Sequence, residues 1–200
     1  RPVKWKSDRG QQDAAYHGRL RIYPHGMQKA NAYYDSTLRA LLFGYFRAAD
    51  ENAGSNLPGQ VVFTCLSHDI IVHETTHAIL DGVREFFNEP TGPDAAAFHE
   101  GFADIVALLQ HFSFKESLLE TIQGTGGFIQ RSELAASAPP QAEGAIIQAE
   151  LGKNNPMVGL AQQFGEAMGT RMALRSALGT KLDPRVLDRT FEAHDRGAIL

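Results

Sequence analysis

The chain has 200 residues, enough for one sizeable domain. With 43% hydrophobic and 21% charged residues, its composition is that of a globular protein and excludes a fibrous repeat. The net charge of −4 provides no basic excess for nucleic acid, and no apolar run approaches the roughly 18 residues of a membrane helix. The single cysteine, Cys65, excludes an intrachain disulfide. We expect a soluble protein without a membrane span or a nucleic-acid partner.

The two ends of the chain predict a fragment of a longer protein. The sequence begins at Arg1 without a signal peptide. It ends in the apolar residues 197–200, which are typical of the start of a further element. The cellular localisation therefore stays open.

Short apolar and alternating runs predict strands in the first third of the chain. They cover residues 18–23, 31–34, 41–46 and 61–66, and Pro24 is expected to end the first of them. Residues 50–59 are polar and rich in glycine and proline, which predicts a loop.

Helical patterns dominate the rest of the chain. Ser67 is a good N-cap for a helix over 67–86, and Asp94 can cap a second helix that runs to 113. Further helices are expected at 115–123, at 128–136 and at 157–178, the last broken or bent by its glycines, with irregular chain at 137–155. Strands followed by helices indicate an α+β fold in one domain, with a β-rich half over 1–66 and a mainly helical half over 67–200.

The predicted helix over 67–86 contains the motif His73-Glu74-Thr75-Thr76-His77. Two imidazoles four residues apart lie about 40° apart around a helix axis, so both can reach one metal ion, and zinc favours such ligands. Glu74 lies on the same side, where it can take a proton from a metal-bound water. The opposite face is apolar enough to pack into a core, and it carries Val72, Thr76, Ile79 and Val83.

The following helix supplies two carboxylates on one face. A catalytic zinc takes a third protein ligand and leaves its fourth position to water. Glu100 is the best candidate for that ligand, and Asp104, one turn further, can accept the free N–H of a ligating histidine. The opposite face is predicted to supply core residues, namely Phe98, Phe102, Ile105 and Leu109.

These two motifs, His73–Ala78 and Glu100–Asp104, resemble those of the gluzincin metallopeptidases, and most closely the thermolysin family. The resemblance implies that His73, His77 and Glu100 bind one zinc ion, that Glu74 is the general base and that Asp104 orients His73. It also implies a thermolysin-like catalytic domain, in which an N-terminal antiparallel sheet precedes an active-site helix and a mostly helical C-terminal half.

Two further segments are similar to that family. Residues 31–34, Asn-Ala-Tyr-Tyr, resemble its edge strand, which binds the substrate backbone by strand addition. The resemblance implies that Asn31 and Ala32 contact substrate. His194 resembles the late histidine of the family, which stabilises the oxyanion of the tetrahedral intermediate.

The sequence departs from the family pattern at several positions. Phe86 and Phe87 occupy the region of the family's oxyanion tyrosine, so Tyr33, Tyr34 or another group substitutes for it, or His194 acts without it. The carboxylate that supports His194 could be Glu192 or Asp188. The arginine that holds the substrate carbonyl stays open among Arg171, Arg175, Arg185 and Arg189.

No thermolysin-like calcium site is expected. Asp69 occupies the place of a family calcium ligand, but His111 stands where the partner carboxylate would be, and calcium prefers oxygen ligands. Asp69 is therefore interpreted as an acidic residue at a helix N-terminus.

Three further histidines and the cysteine are not expected to bind the metal. His68 lies about 140° from His73 around the helix, His111 lies about 16 Å along its helix from Glu100, and His99 points elsewhere. Cys65 is predicted to be a buried strand residue.

The sequence thus predicts a zinc metalloendopeptidase that hydrolyses peptide or protein substrates through a zinc-activated water, with Glu74 as general base. Two alternatives stay open. One is a zinc-bearing scaffold that binds peptides or partners without turnover, and the other is a zinc hydrolase of a non-peptide amide or ester.

Overall fold

The structure, a computed structural model, describes residues 19–51, 53–83, 89, 91–125, 159–160, 162–169, 175–176, 193–194 and 196. Its N-terminal part is a four-stranded sheet made of β1 (Arg21–Met27), β2 (Ala32–Asp35), β3 (Ala40–Arg47) and β4 (Val61–Phe63). The central strand is β3, because the three other strands all pair with it. Its apolar side chains are the most deeply buried of the sheet. It pairs with β1 and β2 along its first half and with β4 along its second half.

The sheet is mixed rather than antiparallel. The antiparallel expectation holds for β2 and β4, but β1 runs parallel to β3. The chain between β1 and β2 crosses β3 at Gly44, whose N–H donates to Asn31 O at 2.9 Å. A Cβ at Gly44 would overlap Lys29 O and lie 2.6 Å from Asn31 O. Glycine is therefore required at this crossing, which puts β1 and β2 on opposite sides of β3.

The first strand does not end at Pro24. Instead β1 continues to Met27, with a shift of register between Tyr23 and Met27. Proline lacks the N–H that a strand interior needs, but an edge strand tolerates it where the pairing is irregular. The prediction for residues 61–66 is also wrong in part, because β4 ends at Phe63 and a 3₁₀ helix follows over Thr64–Leu66.

Three helices follow the sheet, close to the predicted positions. They are α1 (His68–Val83), which begins directly after Ser67, α2 (Pro93–His111) and α3 (Lys115–Thr125). Gly92 occupies the N-cap position of α2, so Asp94 lies in the first turn and does not cap the helix. Proline at the first helical position is well tolerated because that N–H has no intrahelical partner.

The prediction of a helical segment over 157–178, broken or bent by its glycines, is wrong in part, because the described residues there also include two short strands. Within the described residues, the short strands β5 (Gly159–Leu160) and β6 (Arg175–Ser176) pair antiparallel, and the helix α4 (Gln162–Ala167) lies between them. The predictions for 128–136 and 137–155 fall outside the described residues. The described fold is α+β, with the sheet followed by helices.

The core lies where β3, α1 and α4 meet. Its buried members are Leu41, Phe43, Ile70, Ala78 and Phe164. Within the described part of the chain, no helix is long and apolar enough to cross a bilayer.

The second helix buries a different face from the predicted one. Phe98 and Leu109 are 50% and 67% exposed, and Phe102 and Ile105 are also exposed. The buried face instead carries Ala97, Ala103 and Ala107, and Ala107 packs against Val72 of α1. On α1, Thr76 is buried as expected, but Ile79 and Val83 are exposed. Small side chains let α1 and α2 approach closely, which brings the polar groups of both helices together.

Candidate metal centre and cleft

Polar side chains of α1 and α2 that could bind a metal form one cluster. Two histidines of α1 are the first half of this cluster. The Nε2 atoms of His73 and His77 lie 3.0 Å apart, and the His73 side chain is almost completely buried. Residues four apart on a helix are neighbours on one face, so the helix itself brings the two rings together. Thr75 and Thr76 stand between them and donate to the carbonyls of Ile71 and Val72, which satisfies their hydroxyls within the helix.

The second half of the cluster comes from α2. Glu100 Oε2 lies 3.1 Å from His73 Nε2 and 3.6 Å from His77 Nε2. Ligand atoms around a tetrahedral zinc ion are about 3.3 Å apart when the bonds are about 2.0–2.1 Å long. The spacing and the chemistry of these three donors fit one metal ion, so His73, His77 and Glu100 could hold it.

The surroundings of Glu100 favour its ionised form. Burial alone raises the pKa of this carboxyl, but hydrogen bonds with His73 and His77 and the charges of His77 and His194 outweigh it. The pKa of Glu100 is therefore held well below its ordinary range. An ionised carboxylate is the form that binds a metal.

Asp104 occupies the place that the sequence assigned to it. Its Oδ1 lies 2.8 Å from His73 Nδ1, and the carboxylate is almost completely buried. A carboxylate at Nδ1 favours a proton on that nitrogen, and with a metal bound the lone pair of Nε2 would then be available as its ligand.

Glu74 is held by the edge strand. Its Oε2 accepts the backbone N–H of Tyr34 at 3.0 Å, and its side chain lines the same cleft as His73 and His77. Sequence reasoning missed this contact. The period of two along a strand indicates only that Tyr34 and Ala32 direct their backbone groups to the same edge, and no local signal in the sequence indicates that this edge meets Glu74.

The cleft runs between β2 and the two helices and has a volume of about 530 Å³. Asn31 and Ala32, for which the resemblance implied contact with substrate, line one wall. Since the Tyr34 N–H points away from β3 toward Glu74, the N–H and C=O of Ala32 face the cleft side of this edge strand. Asn31 O is fixed by Gly44 N and by the buried Thr64 hydroxyl. Its side chain therefore starts from a rigid stretch of backbone.

His194 also joins the cluster. Its Nε2 lies 3.1 Å from Glu100 Oε2, and its Nδ1 lies 3.6 Å from Asp104 Oδ2. Asp104 thus faces both His73 and His194. Three imidazoles converge on Glu100, and a second group that could hold a metal consists of His73, Asp104 and His194.

The other histidines divide into two groups. His68 packs edge-on against Phe114, and His111 Nδ1 lies 3.2 Å from Asp69 Oδ1, so neither is in the cluster. His99 differs from the expectation, because it lines the cleft and stacks against His77 with ring centroids 6.1 Å apart. Asp69 is in the first turn of α1 as predicted, and its partner is an imidazole.

The structure describes some of the residues whose roles the sequence left open. The Tyr34 hydroxyl donates to Asp81, whereas Tyr33 is exposed and lines the cleft. Cys65 is a free thiol in the 3₁₀ helix, half-buried against the core, and not a buried strand residue. Asp188, Glu192, Arg171, Arg185 and Arg189 lie outside the described residues, and only the backbone of Arg175 is described.

Comparisons with protein-family models, with curated proteins and with solved structures found no match to this chain. An activity can therefore be argued only from the chemistry of the cluster and the cleft.

Proposed function

We propose that this protein is a zinc-dependent metalloendopeptidase of the thermolysin-like gluzincin type. The observation that carries the proposal is the convergence of His73 Nε2, His77 Nε2 and Glu100 Oε2 within 3.0–3.6 Å of one another. Two neutral imidazoles and one carboxylate are a donor set typical of catalytic zinc. The support for a peptidase, as opposed to a metal site alone, comes from Glu74 and the edge strand β2 beside these donors.

A zinc ion held by the three donors supplies a Lewis acid for the scissile carbonyl and lowers the pKa of water. Glu74, which lines the cleft next to the donors, takes a proton from the attacking water and passes it to the leaving amine. The Tyr34 N–H donates to one oxygen of this carboxylate, and the other oxygen would accept the proton of the water. His194 stabilises the negative charge that develops on the carbonyl oxygen.

The edge of β2 explains how a peptide would be held. An extended substrate can add to the free N–H and C=O of Ala32, and the Asn31 side chain can bind the next peptide group. Strand addition reads the backbone rather than the side chains, and it suits an endopeptidase that acts on unstructured segments. The small side chains of Ala95 and Ala96 leave room for substrate on the opposite wall of the cleft.

The decisive experiment compares the wild-type protein with Glu74→Gln. We expect the variant to bind zinc with the wild-type stoichiometry, measured by atomic absorption, and to lose at least about a hundredfold in casein hydrolysis. Glu116→Gln, an acid in the first turn of α3 away from the cleft, is the matched control and should keep full activity.

Each other outcome has a definite meaning. Zinc binding without turnover by the wild type would favour the scaffold that binds peptides or partners. Turnover of a simple ester or of a non-peptide amide, but not of casein, would favour the alternative hydrolase. Full activity of Glu74→Gln would refute the proposed mechanism.

A further inference from the structure

An ion pair joins the segment that carries His194 to the start of α2. Arg196 Nε and Nη2 lie 2.7 Å and 2.6 Å from the same oxygen, Asp94 Oδ1. The Arg196 side chain is 13% exposed, whereas the Asp94 side chain is 68% exposed. The guanidinium is therefore largely enclosed by protein while its partner reaches it from the surface.

This ion pair lies close to His194 in the chain, and His194 contacts the same helix. Residues 193, 194 and 196 are helical, and Arg196 lies two residues beyond His194 in the chain. The His194 ring contacts Glu100, which is six residues beyond Asp94 on α2, or about 9 Å along the helix. One short segment thus contacts one helix at two points, first through Arg196 and then through His194.

We propose that Asp94 and Arg196 are positioning residues that hold His194 over the cluster. The kinetic part of this inference rests on the proposed function, but the placement of the ring does not. The His194 ring itself contacts Glu100 and Asp104. The contact of two Arg196 nitrogens with one carboxylate oxygen attaches the same segment to α2 at a further point, and charge-assisted hydrogen bonds are stronger than neutral ones. A catalytic group gains its effect from such prior placement.

The first test detects a change in the position of the His194 ring directly. In the full chain, histidine Cε1–H signals are recorded by NMR, and the signal of His194 is identified by its loss in His194→Ala. Asp94→Asn and Arg196→Gln should shift this signal and leave the thermal midpoint almost unchanged. Asp94→Glu retains the carboxylate and should restore most of the wild-type position. Glu116→Gln removes an equivalent acid from the first turn of α3 and should leave the signal where it was.

The second test reads the consequence for turnover. Asp94→Asn and Arg196→Gln should each lower kcat by about fivefold, with KM and zinc content preserved, since a partly exposed ion pair contributes about 1 kcal/mol. In the His194→Ala background, the same substitutions should have no further effect, because they act only through that ring.

These results separate the two proposals. A His194 signal that does not respond to Asp94→Asn or Arg196→Gln overturns the proposal that these residues position His194. A loss of turnover that persists in the His194→Ala background also overturns it. If the signal responds as expected while even the wild type cleaves no peptide, the positioning proposal is supported and the peptidase proposal fails.

Discussion

The hydroxyl of Tyr34 donates a hydrogen bond to Asp81 Oδ2 at 2.8 Å. Tyr34 belongs to the edge strand β2, and Asp81 lies one turn beyond His77 on α1. This bond fastens the strand to the helix at the place where the Tyr34 N–H meets Glu74. The proposed general base and the proposed substrate-binding edge are thereby set by the same residue.

The first prediction concerns the ionisation of Tyr34. Burial raises the pKa of this phenol, and the hydrogen bond and the charge of Asp81 raise it further. It should therefore ionise well above the ordinary value of about 10. In an ultraviolet titration, Tyr34→Phe should leave the absorbance change near pH 10 unaltered. A variant that lacks a phenol titrating near pH 10 would contradict the prediction.

The raised pKa of Tyr34 also makes the free energy of unfolding depend on pH. The pKa of Tyr34 is higher in the folded than in the unfolded chain, so its contribution is fully present below about pH 10 and is lost as the pH rises further. The free energies of unfolding of the wild type and of Tyr34→Phe should therefore converge at strongly alkaline pH.

The second prediction concerns Asp104. Replacing it with asparagine should weaken zinc binding by about 10–100-fold, because the carboxylate orients His73 and increases its basicity. Competition with a chromophoric chelator measures the affinity. Asp69→Asn is the control, since this acid also pairs with a histidine but lies outside the cluster. Equal zinc affinities of the two variants would remove Asp104 from the metal centre.

The third prediction concerns Gly44. An alanine here should lower the free energy of unfolding in urea by about 1–3 kcal/mol, because its Cβ would force Lys29 and Asn31 away from β3. We also expect a higher KM for peptides, because Asn31 would move with its backbone. Gly26→Ala, whose Cβ would meet the Tyr23 Cβ at 3.2 Å, should be less damaging. A fully stable Gly44→Ala would show that the crossing can relax.

The fourth prediction concerns Glu100 in the metal-free protein. Its pKa is lower in the folded than in the unfolded chain, so its contribution to stability is present above about pH 4.3 and is lost as the pH falls below that value. Wild type and Glu100→Gln, both in chelator, should differ in urea unfolding at neutral pH and converge in acid. A difference that grows as the pH falls would contradict the assigned direction.

Much of the candidate metal centre could be predicted because it depends on local geometry. A helix fixes the separation of His73 and His77, and the same spacing places Glu100 and Asp104 on one face of the next helix. The residue pattern predicts a strand at residues 31–34, the family resemblance implies that it is an edge strand, and the structure begins β2 at Ala32. Its contact with Glu74 could not be predicted, because β2 and α1 meet only in the folded chain.

Other features were predicted wrongly for physical reasons. The apolar residues of α2 suggested a buried face with Phe98 and Leu109, but the alanines pack against α1 and those larger side chains are exposed. A pattern of hydrophobic residues does not reveal that a close approach of two helices favours small side chains. Similarly, Pro24 predicted the end of a strand, although an edge strand can continue past a proline.

The amino-acid sequence by itself determined which donors share a helical face and in what order β1–β4 and α1–α3 occur, since both follow from periods of a few residues. Only the tertiary structure decided that β1 runs parallel to β3, that the alanine face of α2 meets α1, and that His194 and Arg196 dock on that same helix. These features depend on the volumes and charges of side chains that belong to residues far apart in the chain. Asp94 and Arg196, for example, are 102 residues apart and meet only when the chain has folded.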